Sequence, residues 1–563
     1  MKQYRLPWLH TQRRTDPEVP VKPPMQIGAL SNGEVFRADT PESDRVKALI
    51  LQKADEGARR LGIERREFLA SSMGMATTMW ALNVASGCGG ESSRMPSEGG
   101  SGAPRGSSGR GPEGEDYDPS LPSEMAGPNG PIETDGGYFD VPDDPTDPEK
   151  VCQKMMDPKD FFIFDIQTHS VNRANTLYDN FLRQQLRFQR QCIPAGLAPV
   201  PCFARDEYTR LMFAESDTTV AVLSGLPAVD DTNNPITNLE IAEAKAFING
   251  LAEGTERLVN HHMVLPNQTG VAGLPAQLDA MEKTLDMYKT VGAWKTYPAW
   301  SPVNTETNAQ DGYFYDDPKI GIPMVQKGLE LGVGLFCIHK GLPIPAFSTK
   351  YNDPVDIPRV AKLFPEAKFI VYHSAYGHTN NYFEGPYVQG SRTGVNALIT
   401  AFLENGIKPG SNIFAELGTT WQLVSTLPVV GGTSAMAHVL GKLLKYVGED
   451  NVVWGTDSIW YGSPQSQIES FLAFQISPQF QRQYGYPELT VDIKRKILGL
   501  NAARAYGINP EATRCAIGTG RMAKFKAEQD AEWGERRWAF RTPLMTKRHQ
   551  YWEAHRKNGF RPG

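Results

Sequence analysis

Cysteine, unbroken apolar sequence and excess charge are all scarce in this chain. There are 6 cysteines among 563 residues, too few for a fold held by a disulfide framework. No window carries the roughly 20 uncharged apolar residues that a spanning helix needs. The 58 Lys and Arg nearly balance the 64 Asp and Glu, leaving a formal net charge of −6. That balance argues against a polyanion partner, and no nucleic-acid-binding module is recognisable. Core-forming residues are plentiful. Apolar residues make up 40% and aromatics 10%, enough for one large domain with appendages.

Residues 1–60 read as an N-terminal extension, polar and proline-rich at first and then partly helical. Val46, Leu49, Ile50 and Ala54 recur there at helical spacing. Residues 61–88 carry Arg65 and Arg66, then Phe68-Leu69, then a mildly apolar stretch rich in Ala, Met, Ser and Thr. This resembles a twin-arginine export signal, which would hand the chain to a twin-arginine translocase and place it in the periplasm or cell envelope. The competing reading is an ordinary amphipathic helix with a chance arginine pair, in a cytoplasmic protein. Ala85-Ser86-Gly87-Cys88 is similar to a lipobox, which makes Cys88 a candidate for membrane anchoring. Residues 89–150 turn Gly-, Ser- and Pro-rich and read as a disordered linker. Cys192 and Cys202 are near enough in sequence to pair in an oxidising compartment, although spacing alone does not establish the bond.

From 151 to 510, apolar runs alternate with helical patterns. Candidate strands are Phe161–Thr168, Thr218–Leu226, Leu258–Leu265, Val291–Tyr297, Val333–His339, Lys368–His373, Asn412–Glu416 and Asn451–Asp457. Amphipathic stretches lie between them, among them 238–251, 276–288, 354–364, 395–403, 434–447 and 464–474. Such alternation argues for parallel βαβ units, and eight of them for a (β/α)8 TIM barrel of the α/β class. The excess length falls after the first, fourth and sixth strands, where a lid would be expected. Residues 511–563 hold Arg536, Arg537, Arg541, Trp533, Trp538 and Trp552 and read as a C-terminal extension packed on the barrel.

Several strands end in polar residues. Gln167 and His169 close the first, Lys295 and Tyr297 the fourth, His339 the fifth, His373 the sixth, Glu416 the seventh and Asp457 the eighth. Strand C-termini converge on one face of a barrel, where such enzymes keep their sites. A single strand-end histidine is more often a packed residue than a ligand, but this many polar ends together point to a site. Imidazole with carboxylate suits one divalent ion, Zn²⁺, Mn²⁺ or Fe²⁺. His261 and His262 are adjacent on a strand, so at most one faces the barrel interior. His378 is loop-borne and placed to line the entrance.

Asp165-Ile166-Gln167-Thr168-His169 resembles the D-x-H-x-H signature at the end of strand 1 in the amidohydrolase superfamily, with Gln167 at the first histidine position. Asn501-Ala502-Ala503-Arg504-Ala505-Tyr506-Gly507 follows the eighth strand. Together these resemble the amidohydrolase-related family, which includes metal-dependent hydrolases and decarboxylases of the aminocarboxymuconate-semialdehyde type. The resemblance implies His169, His339 and Asp457 as metal ligands, with Gln167 at a fourth ligand position. It implies His373 as a residue that contacts substrate or moves a proton. An amide oxygen at Gln167 binds metal more weakly than imidazole and shifts preference toward harder ions. Asp457 is placed to ligate the ion and accept a proton. Lys295 either anchors a substrate carboxylate or, carboxylated, bridges two metals. Glu416 replaces charge lost at Gln167 or pairs with Lys295. Lys295, Tyr297, Glu416 and His378 form the expected substrate-binding set. The reading reached is a metal-dependent hydrolase of a small carboxylated or cyclic substrate. Its alternatives are a non-oxidative decarboxylase and a metal-free ligand-binding protein of the envelope. Oligomeric state is left open.

Overall fold

The structure is a computed structural model that describes residues 23–31, 36–37, 39–86, 126–127, 130–131, 136–172, 182, 200–228, 232–266, 273–288, 290–300, 312–342, 347–377, 384–426, 432–517, 521–524 and 526–527. Eight parallel strands form one sheet in strict sequence order. They are β1 (Phe164–Thr168), β2 (Val220–Leu223), β3 (Leu258–Met263), β4 (Ala293–Thr296), β5 (Leu335–His339), β6 (Lys368–Tyr372), β7 (Ile413–Glu416) and β8 (Val452–Val453). The sheet closes on itself between β1 and the chain after β8. Ile166 N donates to the Trp454 carbonyl at 3.1 Å, and Asp457 N to that of Gln167 at 2.9 Å. This is the expected barrel, with the site-bearing strand ends on one face.

The barrel is filled by Phe164, Ile166, Val222, Val259, Cys337, Ile370 and Tyr372, all buried. The helix Asn501–Tyr506 closes its floor. Tyr506 packs on Phe164 with ring centroids 5.2 Å apart. Its hydroxyl lies 2.7 Å from His261 Nε2 and 3.3 Å from Cys337 Sγ. His261 therefore faces inward. His262 packs edge-on against Trp294 at 5.5 Å in the outer layer, as their adjacency on one strand required.

Several elements differ from expectation. β8 is only two residues long, and beyond it the chain stays beside β1 through the Asp457–Gln167 bond and an isolated bridge between Thr168 and Ser458, with Asp457 left-handed (φ 57°). The helix Gly321–Glu330 carries Pro323 and Gly328 and so lacks a clear helical signature. Glycine is required at 328, where a Cβ would stand 2.6 Å from the Phe336 ring.

The folded body also begins earlier than residue 151. The strand Gly137–Phe139 pairs antiparallel with Phe474–Ile476, and the helix Pro148–Lys154 follows it. Upstream lie α1 (Pro41–Leu61), α2 (Arg65–Leu69) and α3 (Ser72–Ala85). In α1, Thr40 and Ser43 cap each other reciprocally, and Val46, Ile50 and Ala54 are buried. α3 is buried nearly all round, and Phe68 and Leu69 of α2 are buried with it. Asn83 of α3 exchanges two hydrogen bonds with the Phe139 backbone, both at 2.8 Å. The signal-like segment is thus packed into the body. No helix among the described residues is long and apolar enough to cross a membrane.

The C-terminal extension docks through its described part. Arg514 donates to the Lys159 carbonyl at 2.9 Å, and Met522 is buried. Cys202 is disulfide-bonded. Cys88, Cys192, His378, Trp533, Trp538 and Trp552 lie outside the described residues, as does much of the chain expected to form a lid.

Candidate functional site

The strand ends bring Gln167, His169, Lys295, His339, His373, Glu416 and Asp457 to the barrel mouth, each at most 2% exposed. Asp457 lies at the centre of the hydrogen bonding. Its Oδ1 is 3.1 Å from His169 Nε2 and 3.3 Å from Gln167 Nε2. Its Oδ2 accepts from Thr419 Oγ1 at 2.7 Å. Gln167 Nε2 also lies 3.2 Å from His373 Nε2. His373 meets His339 edge-on, with centroids 4.9 Å apart. His339 stacks on Tyr297 at 5.0 Å and meets Phe347 edge-on at the same distance.

Two of these side chains sit on unfavourable backbone. His373 (φ 56°) and the following Ser374 and Ala375, like Asp457 (φ 57°), are left-handed without being glycine. Such conformations cost on the order of 1–3 kcal/mol each and concentrate at functional sites. Here the cost is offset by specific bonds. Glu416 Oε2 accepts the His373 backbone N–H at 2.8 Å. Ser374 Oγ donates to the Glu416 carbonyl at 2.8 Å, and Thr420 Oγ1 to the His373 carbonyl at 3.0 Å. Gly418 completes the turn at φ +44°. A Cβ there would stand 2.6 Å from Gln167 Oε1 and 2.8 Å from both Glu416 carboxylate oxygens.

Burial sets the protonation states, modified by neighbours. Burial pushes Asp457 up. Against it, the hydrogen bond and charge of His169, the nearby His373 and the Thr419 hydroxyl hold its carboxyl well below the usual range. Glu416 goes the other way. Burial drives it well above the carboxylate range, and the charges of Asp457 and Asp165 add to the rise. Burial lowers His373 to about 3, opposed by Asp457 and assisted by Lys295. Burial, His373 and Lys295 also lower His339 well below its ordinary value. The mouth therefore favours charge on Asp457 and disfavours it on Glu416, His339 and His373. The Lys295 ammonium lies 3.5 Å from the centroid of the Tyr372 ring and 4.6 Å from that of Tyr297.

His169 decides whether an ion suits this set. Its Nδ1 is 3.1 Å from the Ser224 carbonyl, an acceptor only, so Nδ1 carries the proton. Nε2 faces Asp457 Oδ1, to which it either donates a proton or, without that proton, turns its lone pair. Two acceptors so close need a cation or a second proton between them. Metal-binding histidines are commonly held in this way. No three His, Cys, Asp or Glu side chains among the described residues could hold a metal ion together. Gln167 offers an amide beside His169 and Asp457, but its Nε2 faces Asp457 and His373, so the amide would have to turn to present Oε1, which has no hydrogen-bond partner among the described residues. The residues fit a weakly held ion at His169 and Asp457 with Gln167 beside them, and His339 lies at the same mouth against His373.

Sequence reasoning missed Thr419, Tyr461 and Ser224. Thr419 orients Asp457 and lies 2.9 Å from the Tyr461 hydroxyl. It sits on the helix Gly418–Ser425, whose opening Gly-Thr-Thr reads as a loop. Ser224 follows β2. Its Oγ is 2.5 Å from His261 Nδ1, and nothing local marks that pairing.

Residues 270–508 match the amidohydrolase family model. No curated protein matches the chain. Similar solved structures include an uncharacterized TIM-barrel protein from Bordetella bronchiseptica, 16% identical, covering 61% of this chain and 98% of its own at a TM-score of 0.41. Amidohydrolase 2 from Bifidobacterium longum subsp. infantis is 11% identical, covering 62% of this chain and 100% of its own at 0.29. An amidohydrolase from Burkholderia ambifaria with bound Zn is 11% identical, covering 67% and 94% at 0.27. The matched span runs from before β4 through the helix Asn501–Tyr506 and includes Lys295, His339, His373, Glu416 and Asp457, so this part of the chain is similar to the amidohydrolase family.

Proposed function

We propose that the protein is a metal-dependent hydrolase that cleaves a small carboxylated or cyclic substrate at the barrel mouth. The carrying observation is the His169–Asp457 pair, 3.1 Å apart, with the other nitrogen of His169 tied to the Ser224 carbonyl. Asp457, His169 and Gln167 would hold a divalent ion, which supplies Lewis-acid polarisation and a more acidic water. Asp457 is ionised and oriented by Thr419, so it accepts the proton of an attacking water. Lys295 offers a buried ammonium between two tyrosine rings and binds the substrate carboxylate. Tyr297 and His339 form one wall of the pocket. Neutral Glu416 holds the turn that aims His373. Elemental analysis of gently purified protein tests this reading. About one equivalent of metal, with turnover lost on chelation and restored on reloading, is expected. Full turnover in metal-free protein would overturn it.

Non-oxidative decarboxylation is the second reading. It is favoured by neutral His373, which lies beside Gln167 and within reach of the group that Lys295 would fix. Release of carbon dioxide rather than uptake of water separates the two.

Export by the twin-arginine route is proposed on Arg65 and Arg66, with the disulfide at Cys202 in keeping with an oxidising compartment. In the folded chain Phe68 and Leu69 are buried, so a receptor would have to meet them before the segment docks. Replacing both arginines by Lys should abolish export. Equal amounts of variant and wild type in the exported fraction would defeat the idea.

A further inference from the structure

A cavity of about 280 Å³ opens on the opposite side of the barrel from the mouth. It lies where the chain enters the first three strands. Phe161 precedes β1, Thr218 and Thr219 precede β2, and Arg257 precedes β3. Arg514 and Ile517 of the helix Pro510–Ile517, with Met522, Ala523, Lys526 and Ala527, form its outer wall. Its charge is unbalanced. Among the described residues Lys159, Arg257, Arg514 and Lys526 line it, against the single carboxylate of Asp217. That carboxylate is already engaged, 3.0 Å from Lys526 Nζ and 2.8 Å from Gln465 Nε2.

Arg257 is the telling residue. Its side chain is buried, with the residue only 5% exposed. Among the described residues its hydrogen bonds run only to main-chain carbonyls, from Nε to Thr219 at 2.5 Å and from Nη2 to Thr218 at 2.9 Å. Phe213 lies under the guanidinium at 4.9 Å. Burial pulls its pKa down to about 10, with no carboxylate opposing. A buried guanidinium without an anion is costly, because carbonyl dipoles only partly replace water. Arg514, on the facing wall, likewise donates only to carbonyls among the described residues, those of Lys159 and Asp160. Two guanidinium groups with a spare donor face suit an oxyanion, which such groups bind in a bidentate manner. Beside them Phe213 and Met522 supply apolar surface.

We propose that this floor cavity is a second ligand site. It takes a small organic anion whose carboxylate or phosphate meets Arg257 and Arg514 and whose apolar body lies on Phe213 and Met522. The site is separate from the mouth and does not depend on the proposed reaction.

The test is calorimetric titration of the full-length protein with phenyl phosphate and, separately, with benzoate. Saturable binding of either, near one equivalent, is expected. Arg514→Gln should weaken it at least about tenfold, the scale of one charge-assisted hydrogen bond. Arg514 is lightly held, so this variant should fold, and circular dichroism checks that it does. Arg257→Lys keeps the charge but loses the fork, and should weaken binding as well. Lys295→Met, at the mouth, should leave binding unchanged. The proposal is overturned if neither ligand binds. It is also overturned if binding survives Arg514→Gln but disappears in Lys295→Met, which would place the anion at the mouth.

Discussion

The two ends of the barrel are built by opposite rules. At the floor, Tyr506 fills the opening with an aromatic ring and a hydroxyl bonded to His261 and Cys337. At the mouth, polar side chains are equally buried, yet Gln167 Oε1 and Glu416 Oε1 have no hydrogen-bond partner, and His373 and Asp457 sit on left-handed backbone. Packing alone would favour neither feature. The contrast teaches that stability in this fold is concentrated below the strands and chemistry above them.

The sharpest way to break that comparison is Asp457→Asn. The change keeps shape and removes the ionised carboxylate. Activity should fall at least about a hundredfold, the lower scale for a lost general base, while the melting transition is retained. Near-normal turnover would take Asp457 out of the mechanism.

Gly418→Ala should cut both properties. The added Cβ would press on Gln167 and Glu416 at a position whose φ of +44° already disfavours a side chain. Stability should drop by about 1–3 kcal/mol, and turnover should fall as His373 loses its support. A wild-type denaturation curve would show that the turn is not held as described.

Gln167→His sharpens the contrast instead of breaking it. A second imidazole beside His169 should raise zinc affinity at least about tenfold, the lower end of what even an outer partner of a ligand contributes. Calorimetry with zinc reads this directly. If neither form binds zinc, the hydrolase and decarboxylase readings both lose their support.

The smallest effect on activity is expected at the floor. Tyr506→Phe removes the hydroxyl between His261 and Cys337 and should cost about 1–3 kcal/mol of stability, the range for leaving a buried partner unsatisfied. Turnover should stay within about twofold. Unchanged stability with a large loss of turnover would mean that the His261 column takes part in catalysis, and the division between floor and mouth would fail.

Much of the mouth was legible in the sequence, since each polar residue ends an apolar run and period-two alternation fixes which side chains share a face. Gln167 and His169 are the clearest instance. Thr419 was hidden because it sits on a helix that opens with glycine and two threonines. Ser224 and His261 were hidden because nothing in either local stretch signals their contact.

Sequence by itself determined the eightfold alternation of strand and helix, the end of the barrel that bears the polar residues, and the motifs at either end of the domain. Each depends on residues close together in the chain, where periodicity and turn chemistry act. Only the tertiary structure decided that His169 and Asp457 meet at 3.1 Å and that His339 packs on His373 and Tyr297. It alone decided that Asp457 is held low and Glu416 pushed high in pKa, and that α3 packs into the body. Those outcomes depend on burial and on distances between residues hundreds of positions apart, and the desolvation that sets a carboxyl's charge exists only once the chain has closed around it.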